Sequence, residues 1–390
     1  MKSYAFDAVD ALFFRDGRPY RMADANDPGN DQADVVTVFP PSPYSVVGAI
    51  RAGFALEQGW SGSGSWDDVC KRVLGDRMDL GALRFRGPFL ARENKDAYEL
   101  LYRLPANVVV RRDETGRPHV ALLGLYDEER TVCDIGEVRL PGLPPGARGE
   151  LGWKVQTGAF VTHDGMQQVL QGGVLPPASI VSGEDLFETE SRLGLWRGDD
   201  THVAEDEGAL YSPSFVRFQR GVRLIMQVEG VPENWNAPTL VPLGGEGRMA
   251  IADSFPKTAG LPGQFHEDFD PANAEEVEFT FTVLTPLRLP LTGSVPVGVH
   301  PGYEFFQKFG EEVEIVSACV DRPEYIGGWD SIGSRPLPAR PHLPAGSVLF
   351  CRAKADNLRR LLKSSATGLG PDSSFGINQF AIGKFPIVQQ

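Results

Sequence analysis

The sequence contains no run of 18 apolar residues, which excludes a membrane-spanning helix of ordinary length. Its opening, MKSYAFDAVDAL, has one lysine and no long apolar core, so it does not make a secretory signal, and the cytoplasm is the expected location. Cysteine is scarce. Cys70, Cys133, Cys319 and Cys351 lie far apart and no C-x-x-C occurs. That spacing argues against a structural zinc site and fits free thiols in a reducing compartment.

Catalytic signatures are missing too. His119, His163, His202, His266, His300 and His342 form neither H-x-x-x-H nor H-E-x-x-H, and no G-x-S-x-G elbow or Walker loop occurs. The HEDFD stretch, with His266, Glu267, Asp268 and Asp270, reads as a solvated acidic loop, because one cluster rarely completes a cation's shell. The residues therefore assign no catalytic group, metal or cofactor.

Positive charge is in deficit: 38 Lys and Arg stand against 52 Asp and Glu, for a formal net charge of -14. Such a chain does not coat nucleic acid through its overall field, although a local basic groove remains open to it. The runs EDLFETE (184–190) and DDTHVAEDE (199–207) carry much of the excess. They read as solvated loops, or as faces for basic partners.

What is present is a globular, loop-rich chain of 390 residues, 42% apolar, with 44 glycines and 31 prolines spread along it. That length suits two domains, and the polar stretch near 199–207 suggests a division into 1–200 and 201–390. Period-two alternation marks strands in VRLIMQVEG, where Val222, Leu224, Met226 and Val228 share a face, and in VEFTFTVL, where Val277, Phe279, Phe281 and Val283 do. ALRFRGPFL and SVLFCR read as two more. The clearest helix is SPYSVVGAIRAGFALEQG, with Ser42 as N-cap, Pro43 at the first helical position, an apolar stripe of Val46, Val47, Ile50 and Phe54, and Gly59 to end it. WDDVCKRVLG, capped by Ser65, DGMQQVLQGG and ADNLRRLLKS are expected helices. Strands broken by a few helices make an α+β fold.

Four segments have the chemistry of anion sites. LFFRDGRPY sets Arg15 and Arg18 around Gly17, directly after an aromatic run. LGGEGRMAIAD places Gly244, Gly245 and Gly247 before Arg248: glycines allow close backbone approach, and arginine offers planar, bidentate donors to phosphate. GINQFAIGKF carries Lys384. The helix beginning at Ser42 exposes first-turn N–H groups near Tyr44 and Ser45, with Arg51 off its apolar stripe. Each segment also has a plainer reading, as a tight turn or a well-capped helix.

Taken in order, LFFRDGRPY, FPPSPYSVVGAIR, LYSPSFVRF, LGGEGRMA, IGGWD and PHLPAGSVLF resemble the third subunit of the Cmr module, the RAMP protein that holds the crRNA 5′ handle in type III-B CRISPR effectors. The resemblance spans nearly the whole chain. It implies two ferredoxin-like, RRM-type domains, 1–200 and 201–390, with glycine-rich loops and long insertions. It also implies a subunit without turnover or cofactor that grips the 5′ handle, docks a Cas10-type large subunit and the RAMP backbone subunits, meets target RNA only indirectly, and contacts neither DNA nor membrane directly. The RNA-binding residues it implies are Arg15, Gly17, Arg18, Ser42, Tyr44, Ser45, Arg51, Gly244, Gly245, Gly247, Arg248, Trp329, Arg335, Arg340 and Lys384. Tyr44, Tyr211 and Trp329 are candidate stacking surfaces, with core packing as the plainer alternative. The aromatic RNP1 signature is absent, so loops and helix ends must do the binding. Two other readings stay open. One is a metal-independent RAMP endoribonuclease that processes crRNA precursors, for which His163 and His342 are the candidates, although neither adjoins LGGEGRMA or GINQFAIGKF. The other is a protein-only scaffold.

Overall fold

Alternating apolar residues at the start of the chain build the middle of a sheet. In the computed structural model Tyr4 and Phe6 of strand Lys2–Ala8 are fully buried. The structure describes residues 1–15, 34–35, 37–94, 97–126, 130–133, 136–195, 210–255, 275–289, 306, 312–330, 335–365 and 367–386. The chain forms two compact units. One comprises Met1–Leu83, Glu184–Pro256 and Tyr325–Ala339; the other comprises Arg84–Gly183, Lys257–Glu324 and Arg340–Gln390. The expected single cut near residue 200 is thereby corrected. Phe187–Ser191 and Leu210–Phe218, on either side of that cut, pair antiparallel with each other within the first unit.

In the first unit Lys2–Ala8 lies between Val222–Glu229 and Met249–Phe255, antiparallel to both, with Tyr4 opposite Met226 and Ser254. Leu240–Pro242 extends the sheet beyond Met249–Phe255. Helix Pro43–Glu57 packs on Leu240–Pro242 and buries its expected stripe. Ser42 caps it, accepting from Tyr44 N–H at 3.3 Å. Phe54 meets the edge of Tyr4 at 5.8 Å between ring centres. Gly53 lets the helix approach so closely: a Cβ there would lie 2.5 Å from a Val241 methyl and 2.8 Å from Pro238. Helix Asp68–Leu74 is capped by Asp67, which takes the Cys70 N–H at 2.7 Å, and not by Ser65 as expected.

In the second unit Arg84–Asn94 and Ala97–Arg103 make a hairpin extended by Phe160–Thr162 and Ile180–Val181. Thr162 caps helix His163–Leu170. A separate antiparallel sheet runs in the order Glu314–Cys319, Val348–Lys354, Glu276–Val283, Phe380–Gly383, and helix Ala355–Ser364 follows its second strand. Its core stacks Phe281 on Phe380 at 4.5 Å. A third sheet joins Pro118–Leu122, Val108–Arg112 and Lys154–Val155. The fold is mixed, with small antiparallel sheets and few helices, in agreement with the expected α+β class. No described helix is long and apolar enough to cross a membrane.

Candidate nucleic-acid interface

Strand Leu210–Phe218 places Phe215 and Arg217 on one face, two residues apart. Its neighbour Phe187–Ser191 sets Glu190 opposite Phe215. Just past that strand, the Arg192 N–H donates to Pro213 O at 3.1 Å, which holds Arg192 beside the same face. The glycine loop closes the group: Leu243 N–H donates to Arg248 O at 2.9 Å, and Arg248 N–H to Gly245 O at 3.2 Å.

Three guanidiniums converge on one carboxylate. Arg192 and Arg217 donate to Asp10 at 2.9 Å each, and Arg248 at 3.1 Å. Glu190 accepts from Arg217 at 2.9 Å and also from Arg192. The Arg192 and Arg248 guanidiniums lie 5.0 and 4.4 Å from the centre of the Phe215 ring. Hydrogen bonds from Arg192 and then Arg217 hold the Asp10 carboxyl well below the usual carboxylate range, and the same pair lowers Glu190. Three cations face two anions, all partly exposed, so the cluster keeps one surplus positive charge in an acidic protein. Among the described residues Arg248 Nε has no hydrogen-bond partner. Preformed planar donors around a single excess charge suit a phosphodiester.

Two of the expected segments meet here. Gly245 N–H donates to Phe13 O at 2.8 Å, joining the glycine loop to the start of LFFRDGRPY. That bond also corrects part of the expectation, since the Gly245 amide serves the protein's own backbone. Gly244, at φ +93, is required because a Cβ there would lie 2.4 Å from Phe13 O. Gly247, at φ +65, faces open space. Arg15 is exposed and bridges Thr37 through its backbone, whereas Gly17 and Arg18 lie outside the described residues.

Other expected site residues are placed elsewhere. Arg51 is buried at 7% exposure, donates to Arg77 O at 2.7 Å and Asp79 O at 3.0 Å, and lies 5.0 Å over Trp66. Burial brings its pKa down to about 10. The expected phosphate contact is corrected: this guanidinium braces an internal turn, because sequence periodicity cannot show that a loop folds over the helix's polar side. Ser42 spends its hydroxyl on the helix cap, Ser45 is exposed, and Tyr44 is half-buried. Trp329, at 61% exposure, and Tyr325, at 59%, lie on strand Glu324–Asp330, which pairs with Arg335–Leu343. Arg335 is exposed, with Nε 3.5 Å from Asp330. Tyr211 lies opposite Gly194 in its ladder. Arg340 and Lys384 belong to the second unit, where the Lys384 N–H donates to Leu170 O at 2.7 Å. HEDFD lies outside the described residues.

The sequence matches the model of the family described as CRISPR-associated protein (Cas_Cmr3) over residues 4–385. The chain belongs to the Cas_Cmr3 family. No curated protein matches it. Among solved structures, it is similar to a chain of the Type III-B Cmr-beta bound to cognate target RNA, with a TM-score of 0.46 at 15% identity over 97% of this chain and 96% of that one. The same complex with AMPPnP in state 1 gives 0.45 at 14%, over 97% and 99%. A chain of the Csm3-Csm4 subcomplex of the type III-A interference complex gives 0.37 at 12%, over 90% and 92%.

In this Cas_Cmr3 chain, sequence reasoning missed Asp10, Glu190, Arg192, Phe215 and Arg217 as members of the cluster. LYSPSFVRF carried part of the signal, since Phe215 and Arg217 alternate within it, but nothing local ties them to Asp10.

Proposed function

We propose that the chain is a non-catalytic crRNA-binding subunit of a type III-B Cmr effector complex, gripping the crRNA 5′ handle and docking the Cas10-type large subunit and the first backbone subunit. Membership of the Cas_Cmr3 family supports the complex. The observation that carries the RNA contact is the convergence of Arg192, Arg217 and Arg248 on Asp10, against the loop at Phe13. Phosphates meet the arginines there, and Gly247 leaves space at the loop tip. The reading includes two ferredoxin-like domains. The order of the Glu276–Val283 sheet supports the second of them, because the first and third of its strands in chain order lie centrally and the second and fourth at the edges.

The endoribonuclease reading has less behind it. General acid–base cleavage needs a group that reaches the 2′-hydroxyl and titrates near the working pH. His342 is 1% exposed, donates its Nδ1–H to Arg340 O, 2.8 Å away, and burial lowers its pKa to about 4. His163 is half-buried, and burial lowers its pKa as well. Incubating the purified chain with repeat RNA in EDTA separates the readings: the RNA stays intact, whereas cleavage abolished by His163→Ala or His342→Ala overturns the proposal. Crosslinking within the complex tests the grip. Adducts between the first guide nucleotides and 190–217 or 243–248 support it; their absence favours a protein-only scaffold.

A further inference from the structure

In the second unit, exposed aliphatic side chains and positive charge lie at the edge of the small sheet of Val108–Arg112, Pro118–Leu122 and Lys154–Val155. Among the described residues of this unit, two of its five exposed large apolar side chains, Leu151 and Val155, lie on or just before the sheet's edge strand. Leu151 is 91% exposed and Val155 51%. Lys154–Val155 is an edge strand: among the described residues it pairs on one side only, with Val109 opposite Val155. An edge of this kind invites pairing or covering by another chain.

The charge around that edge runs against the protein's overall acidity. Arg112, Arg117, Arg148 and Lys154 are exposed. Of the nearby carboxylates, Glu150 is held by Arg111 at 3.0 Å, and Asp113 by His119 at 2.9 Å and by the turn it closes. Arg111, Arg112, Arg117, Arg148 and Lys154 stand against Asp113, Glu114 and Glu150, five to three, so the surplus in these segments is cationic.

We infer that the sheet edge around Leu151, Lys154 and Val155 docks a protein partner whose matching surface is acidic around an apolar centre. Charge complementarity selects the acid, and the exposed aliphatic side chains select a protein over RNA. Leu and Val add apolar area to a protein interface but offer no plane for a base. Trp153, beside that edge, has the Arg111 guanidinium 5.5 Å from its centre, so its face is already engaged. The inference rests on the proposed function only in that the chain works within an assembly.

The test reconstitutes the complex from this chain, guide RNA and the other subunits of a type III-B Cmr complex, comparing wild type with Leu151→Asp/Lys154→Glu. Both positions are exposed, so the variant folds, and its far-UV circular dichroism and melting temperature match the wild type. The expected result is loss of one subunit from the assembly, with its affinity weakened about tenfold or more, while the isolated chain binds guide RNA within about twofold of wild type. Amide exchange at 151–155 slows on assembly. Full assembly of the variant with unchanged affinity overturns the inference and leaves the RNA-binding proposal standing. Protection produced by RNA alone, or by raising the concentration of the isolated chain, overturns it in favour of RNA or a second copy. A wild-type chain that enters no assembly overturns both readings.

Discussion

Arg217 lies 2.9 Å from Asp10 and 2.9 Å from Glu190, so one guanidinium joins the chain's tenth residue to the strand pair that begins at Phe187. The same carboxylate holds Arg248 at 3.1 Å. Asp10 thus sets the spacing of arginines drawn from distant parts of the sequence, and the cluster forms before any ligand arrives.

If these arginines meet phosphate, Arg248→Ala weakens guide binding by about 1–3 kcal/mol, the range for one charge-assisted contact. The slope of log affinity against log salt falls by about one, as expected for a lost phosphate contact. Filter binding at several salt concentrations checks both. An affinity that does not respond to salt removes the phosphate grip.

Arg51→Met separates a brace from a ligand contact. Loss of its bonds to Arg77 O and Asp79 O lowers stability by about 1–3 kcal/mol, while guide affinity stays at the wild-type value. Denaturation midpoints and RNA titrations on the same preparation show the split. Weaker binding at unchanged stability would return Arg51 to the interface.

At Gly53 the usual helix rule reverses sign. Alanine normally stabilises a helix interior relative to glycine by about 1 kcal/mol. Here the new methyl meets Val241, a short branched side chain with little room to move, so Gly53→Ala destabilises by about 1–3 kcal/mol. Thermal melts of the two proteins give the sign directly.

His342 makes stability depend on pH. Burial first, and then Arg288, lower its pKa to about 4 against the opposing Arg340 carbonyl and Asp372. The unfolded chain takes up a proton near pH 6.5, which the folded chain refuses until about pH 4. Its contribution is therefore fully present above about pH 6.5 and is lost as pH falls through that interval. Urea midpoints from pH 7 to pH 4 decline more steeply for wild type than for His342→Gln. Equal slopes would show that this imidazole is not the titrating group.

Short-range features were legible in the sequence. The Ser42 cap, the Val46, Val47, Ile50 and Phe54 stripe, and the strands over 222–229 and 276–283 appear as read, although Ile225, Gln227, Thr280 and Thr282 on the opposite faces are buried too, because periodicity and capping are decided within a few residues while burial is not. The cap of the second helix slipped from Ser65 to Asp67, since two good capping residues stood within one turn and only the local backbone chose between them. The glycine loop was singled out for close backbone approach to a ligand, and part of that approach is made by the protein's own chain. Gly244 and Gly245 admit the Phe13 backbone, a neighbour more than two hundred residues earlier that no pattern around them announces.

By itself the sequence determined the main helices, several strands, the family-bearing segments and the chemistry available to the loops, since these depend on side-chain type and short spacing. Only the tertiary structure decided which cations would stand together. Asp10 is 182, 207 and 238 residues from Arg192, Arg217 and Arg248, and strand pairing across those distances sets their positions. Burial made the same choice at Arg51, turning an apparent surface cation into a brace, because desolvation depends on what folds over a residue and not on its neighbours in the chain.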